Sequence, residues 1–168
     1  MSAEPDPGDF VEFASARTPQ LFRSAYLLTG DYHLAEDLVQ TTLGKLYRGW
    51  KRIQRAENPV AYAHTVLART YISYRRLRRS TEAPTQDVPE QVAVDSDPAL
   101  RMTLLGGLEQ LSVRDRTVLV LRFWEDRSVE DTAQMLGVRP GAVRSQTMRA
   151  LGRLRELLGN DVHVFADR

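Results

Sequence analysis

Apolar residues recur every three or four positions along most of this 168-residue chain, the spacing of helices with one buried face. No stretch alternates as a half-buried strand does. Phe10, Phe13, Leu21, Phe22, Ala25 and Leu28 predict a first helix over about residues 10–28. Thr29-Gly30-Asp31 ends it, with Gly30 suited to a left-handed C-terminal position. Leu34, Leu38, Leu43, Leu46 and Trp50 predict a second helix over about 32–49. Asn58-Pro59 opens a third, because Asn caps well and Pro is favoured at the first helical position. It begins apolar and closes near Arg79 in YRRLRRS.

The segment STEAPTQDVPEQVAVDSDP then offers little to bury and reads as a linker. Beyond it, four helical segments are expected at about 99–110, 113–125, 129–136 and 140–158. Ser112 and Ser128 are natural N-caps, and Ser128 with Asp131 forms a capping box with Asp in place of Glu. The chain is therefore expected to be all-α, with two small helical domains joined by a flexible acidic tether.

The last two segments follow the plan of a helix–turn–helix: a short helix, a tight turn at Gly137, and a longer second helix. Small Ala133 allows close approach, Val138 plugs the turn, and Val143 with Leu151 anchors the second helix. That helix and its turn, VRPGAVRSQTMRALGRLR, carry five arginines in eighteen residues and no acid. With the apolar stripe buried, Ala142, Ser145, Gln146, Arg149 and Arg153 fall on the opposite side. Arg pairs bidentately with guanine, Gln with adenine, and Ser donates or accepts, so this face is suited to the major groove. Arg139 and Arg144 are placed for phosphates, which position without specifying. The competing explanation is an amphipathic helix whose arginines only meet solvent.

Composition sharpens this picture only through its distribution. The formal net charge is +1, yet residues 1–44 carry seven acids against Arg17 and Arg23, and residues 45–79 carry ten bases against Glu57. Residues 80–100 return to five acids and no base. Such segregation implies separate surfaces for separate partners. In the basic stretch, Tyr62, Tyr71, Tyr74 and Trp50 lie among Lys51, Arg52, Arg55, Arg69, Arg75, Arg76, Arg78 and Arg79. Aromatics interleaved with cations suit single-stranded nucleic acid, bases stacking on rings while phosphates meet charge.

The absence of cysteine excludes disulfides and thiolate catalysis. His33, His64 and His163 have no metal-ligand spacing, and neither a phosphate loop nor a nucleophile elbow occurs, so neither enzyme nor cofactor is expected. No apolar run approaches the roughly 20 residues of a membrane span, so the chain is expected in the cytoplasm without membrane insertion.

In both halves the chain resembles the extracytoplasmic-function (ECF) sigma factors of bacterial RNA polymerase, most of all their actinobacterial SigE-like subgroup. The resemblance is carried by AYLLTGDYHLAEDLVQTTLGKLYRGW, by NPVAYAHTVLARTYISYRRLRR, and by LSVRDRTVLVLRFWEDRSVEDTAQMLGVRPGAVRSQTMRALGRLR. It implies sigma domain 2 over residues 8–79, a linker over 80–98, domain 4 over 99–158 and a tail over 159–168. It implies promoter-specific initiation with core polymerase, through the clamp of the largest subunit and the flap of the second. Asp37, Leu38 and Gln40 of AEDLVQ are the implied clamp contacts. Tyr62, Arg69, Thr70, Tyr71, Ser73, Tyr74, Arg75, Arg76 and Arg79 are implied in reading and melting the −10 element, with a base-capturing loop at about 69–74. Arg139, Arg144, Ser145, Gln146, Arg149 and Arg153 are implied at −35. The linker would thread toward the polymerase active centre, and an anti-sigma factor is a possible further partner. One departure stands out: the family's usual loop Asn aligns with Arg69, which offers donors only, so the family's −10 base rule does not transfer. A helix–turn–helix regulator that acts without joining the polymerase is the alternative.

Overall fold

A computed structural model describes residues 7–79 and 98–159, and their side chains over 8–78 and 104–159. Most of the expected linker, and the tail beyond Gly159, lie outside the described residues. The chain divides into two compact units, Met1–Asp87 and Val88–Arg168.

In the first unit, α1 (Pro7–Thr29) packs on α2 (Tyr32–Arg48) and α4 (Pro59–Arg79), with a single turn, α3 (Trp50–Ile53), between the last two. The punctuation works as read. Gly30 takes φ 69°, the Asp31 side chain accepts the Leu34 N–H at 3.1 Å, and the Asn58 side chain accepts the Ala61 N–H at 3.0 Å. Leu21, Ala25 and Leu28 close against Leu38, Val39, Leu46, Ala63, Leu67 and Tyr71, forming one three-helix core. The N-terminal end of α1 is held by rings. Phe10 meets Trp50 edge-on at 5.4 Å between centroids, and Phe13 lies 4.9 Å from the same indole.

In the second unit, α5 (Pro98–Glu109), α6 (Val113–Leu119) and α7 (Val129–Leu136) pack around α8 (Pro140–Leu158). Ser112 and Ser128 cap as expected, accepting the N–H groups of Asp115 at 3.2 Å and Asp131 at 3.0 Å. Gly137 turns the chain at φ 67°, and Val138 packs on Val118, Ala133 and Val143. Gly107 sets the approach of α5 to α8, for a Cβ there would lie 2.9 Å from Leu158 Cδ2 and 3.0 Å from Leu154 Cδ1.

The structure departs from expectation in two places here. The expected helix over 113–125 stops at Leu119 and continues as one π-helical turn, Val120–Trp124. Its wider ring is closed by Glu125 N–H on the Val120 carbonyl at 3.0 Å. Arg127 N–H then reaches the Leu121 carbonyl at 2.9 Å, and the Arg122 guanidinium donates to the Arg127 carbonyl. The turn keeps Val120 and Leu121 buried while Phe123 and Trp124 face outward. On α8 the anchor expected of Leu151 is supplied by Thr147 instead, buried with its hydroxyl on the Val143 carbonyl at 2.7 Å; Leu151 is half-buried.

Leu46→Ala, which empties a fully buried site, is expected to cost about 2–5 kcal/mol in urea unfolding. Gly137→Ala, which forces a side chain into the left-handed region, is expected to cost about 1–2 kcal/mol by the same measurement.

Candidate nucleic-acid interface

On α8 the buried positions Val143, Thr147, Ala150 and Leu154 recur at four, three and four residues, which makes one stripe. The rest of the helix is thereby turned outward. Arg139, Ala142, Arg144, Ser145, Arg149, Arg153 and Arg155 are exposed, and Gln146 is half-buried at the edge of the stripe. The −35 candidates drawn from the sequence thus share one helix and its first turn. Arg139 occupies the N-cap without a side-chain bond, and its carbonyl accepts the N–H groups of Ala142 and Val143 at 3.0 and 3.2 Å. Pro140 follows at the first helical position, where its missing N–H costs nothing.

Two of these side chains have partners on neighbouring helices. Arg144 meets Glu130 of α7 at 3.3 Å, with both side chains well exposed (60% and 67%). An ion pair so open to water contributes about 0–1 kcal/mol, so Arg144 exchanges it readily for another anion. Gln146 donates from Nε2 to Asp115 Oδ1 of α6 at 3.2 Å. Met148, 72% exposed between Arg144 and Arg149, is an apolar group on the cationic face that sequence reasoning passed over. Its place outside the buried stripe was the available signal.

The basic segment of the first unit lies on α4, which is helical without interruption from Pro59 to Arg79. The loop expected at 69–74 is therefore corrected to helix. Its phase sorts the −10 candidates. Tyr62, Arg69, Ser73 and Arg76 recur at seven, four and three residues, so they share one outward face, on which Tyr62 is half-buried; Arg75 lies about 100° further round and is exposed near the C-terminal end of the helix. Thr70 and Tyr71 face inward. Tyr71 is 2% exposed in the core, and Thr70 accepts a bond from Lys45 Nζ at 3.0 Å. Stacking of the Tyr71 ring on a base is thus corrected to core packing, because the ring continues the Ala63, Leu67 stripe. Tyr74 is half-buried; its hydroxyl accepts from Arg78 at 2.7 Å, and the same guanidinium lies 5.8 Å from its ring centroid. Tyr62 is also half-buried, its hydroxyl accepting from Arg52 at 2.9 Å. Trp50 is core, against Phe10 and Phe13. The Arg79 side chain lies outside the described residues.

On α2, Asp37 and Gln40 are exposed, whereas Leu38 and Val39 are both buried. Leu38 is accordingly corrected from contact residue to core residue. The outer face holds Asp37, Gln40 and Thr41, and exposed Tyr47 lies one to two turns further on.

Comparison with known proteins covers both units. The Sigma-70 region 2 family model matches residues 13–81, and the Sigma-70, region 4 model matches residues 101–154. The RNA polymerase sigma-E factor of Streptomyces coelicolor is 39% identical over 161 residues, covering 94% of this chain and 91% of that one. The sigma-E factor of Streptomyces avermitilis is also 39% identical, covering 89% and 85%. Among solved structures, the sigma factor RpoE of Bartonella quintana, crystallised with the anti-sigma factor NepR, is 29% identical with a TM-score of 0.77. That match covers 91% of this chain and 98% of the other.

Proposed function

The chain belongs to the sigma-70 family, as an extracytoplasmic-function sigma factor, and on that premise we propose how its two units divide the work of promoter-specific initiation. It binds core RNA polymerase and directs it to promoters. The observation that carries the assignment of roles is the phase of α8, which buries Val143, Thr147, Ala150 and Leu154 and leaves a cationic face outward. That face enters the major groove of the −35 element. Arg139 and Arg144 meet phosphates; Ser145, Gln146, Arg149 and Arg153 address base edges.

The outward face of α4, with Tyr62, Arg69, Ser73 and Arg76, takes the −10 element, joined by Arg75 exposed near the C-terminal end of the helix. Cations along one side suit a strand being separated, and half-buried Tyr62 is the ring on that side that can stack. Tyr74, half-buried near the C-terminal end of the helix, contributes beside them. Asp37 and Gln40 on α2 provide the polar contacts to the polymerase clamp, standing on a helix that Leu38 and Val39 fix to the core. An anti-sigma factor, such as the one bound to the Bartonella quintana relative, would act by covering these surfaces. Work on polymerase places the protein in the bacterial cytoplasm; among the described residues no helix is long and apolar enough to cross a membrane.

Run-off transcription with purified core polymerase tests the assignment. A chain that shifts promoter DNA alone but never supports initiation would be a free-standing helix–turn–helix regulator instead. In the active holoenzyme, Arg149→Ala is expected to cost about 1–3 kcal/mol at a single −35 base pair and to relax selection there. Arg144→Ala is expected to weaken all sequences alike and to lower the salt slope of binding by about 0.9.

A further inference from the structure

Gln146 is the one base-reading candidate on α8 whose functional group is bonded to another helix through a half-buried contact, 3.2 Å from Asp115 Oδ1. We propose that Asp115, which stands off the reading helix, is the positioning residue that sets which base Gln146 selects. The inference rests on the reading of Gln146 as a base-edge contact.

The argument is one of donor polarity. An ionised carboxylate only accepts, so Asp115 admits the amide nitrogen of Gln146 and rejects its carbonyl oxygen. An unheld glutamine amide turns over a broad, nearly two-fold torsion and presents either end. Held by Asp115, it keeps one N–H committed and offers one N–H beside one carbonyl oxygen. That pair matches adenine in the major groove, which presents the N7 acceptor and the N6 donor. Guanine presents two acceptors, O6 and N7, and would set its O6 against the carbonyl oxygen of a fixed amide.

Both partners are themselves held. The Asp115 N–H is capped by the Ser112 hydroxyl at 3.2 Å, in the first turn of α6. Gln146 adjoins Thr147, whose burial fixes the helix phase. A contact that merely joined α6 to α8 would run in the same direction, so the two roles are separated by experiment.

The experiment uses holoenzyme in competition binding against promoters carrying each base at each −35 position. Gln146→Ala locates the position it reads, with an expected loss of adenine preference of about 5- to 100-fold. Asp115→Asn keeps the size but can donate as well as accept, so the amide of Gln146 is no longer held one way. It is expected to relax the preference at that same position, while the double variant relaxes it no further than Gln146→Ala alone. Retained preference in Asp115→Asn, or an equal loss on every sequence, overturns the positioning role and leaves the base reading intact. If Gln146→Ala changes preference at no position, the base reading itself fails and the proposal falls with it.

Discussion

The stripe of Val143, Thr147, Ala150 and Leu154 leaves α8 no rotational freedom about its axis. Turning the helix by one residue, about 100°, would carry Arg144 and Arg155 toward the core and bring Val143 out. A guanidinium buried without a partner costs several kcal/mol, far more than a surface arginine contributes by any contact it makes in water. Core packing therefore decides the direction of charges that take no part in it. The devices around α8 serve the same constraint. Gly137 admits the sharp turn, Val138 seals it against Val118 and Ala133, and Gly107 lets α5 close on the far end.

The same constraint on α4 has a different result, since there the residues that look functional are divided by it. Tyr71 and Tyr74 sit in a cationic stretch, and composition alone assigns them to a nucleic-acid strand. Their spacing from Ala63 and Leu67 places both on the buried stripe, Tyr71 within the core and Tyr74 half-buried nearer the C-terminal end of the helix. Tyr62, which precedes every cation of α4, belongs to the outward face with Arg69 and Arg76. The aromatic side chain is amphipathic, so its identity does not say whether it packs or stacks. Helix phase separates the ring that is packed from those left partly open. On α2 the same test separates Asp37 and Gln40 from their neighbour Leu38.

What could be read in advance was whatever depends on neighbours along the chain. The caps at Asn58, Ser112 and Ser128, the turns at Gly30 and Gly137, and the helical period itself are all set within about four residues. The π turn at Val120–Trp124 was not legible, because it arises where a helix ends against its unit's core and must satisfy its last carbonyls with Glu125 and Arg127. Thr147 was passed over as a core residue because its hydroxyl is polar in isolation; bonded to the Val143 carbonyl, it packs as a small apolar group would. The pairs Arg144–Glu130 and Gln146–Asp115 join residues 14 and 31 positions apart, and no local pattern announces them.

Those two pairs divide the face of α8 by physical kind. Arg144 and Glu130 are exposed, so their attraction is screened and the arginine can leave for a phosphate at almost no cost. That suits a contact whose task is attraction without selection. Gln146 and Asp115 are half-buried, where a bond to a charged acceptor is stronger and an unmet one is more costly to leave. A side chain that must distinguish donor from acceptor gains from being fixed beforehand, because the orientation is then set before DNA arrives. An acid beside a DNA-facing surface opposes binding through its charge. Its presence at Asp115 is understandable if the face must discriminate as well as attract.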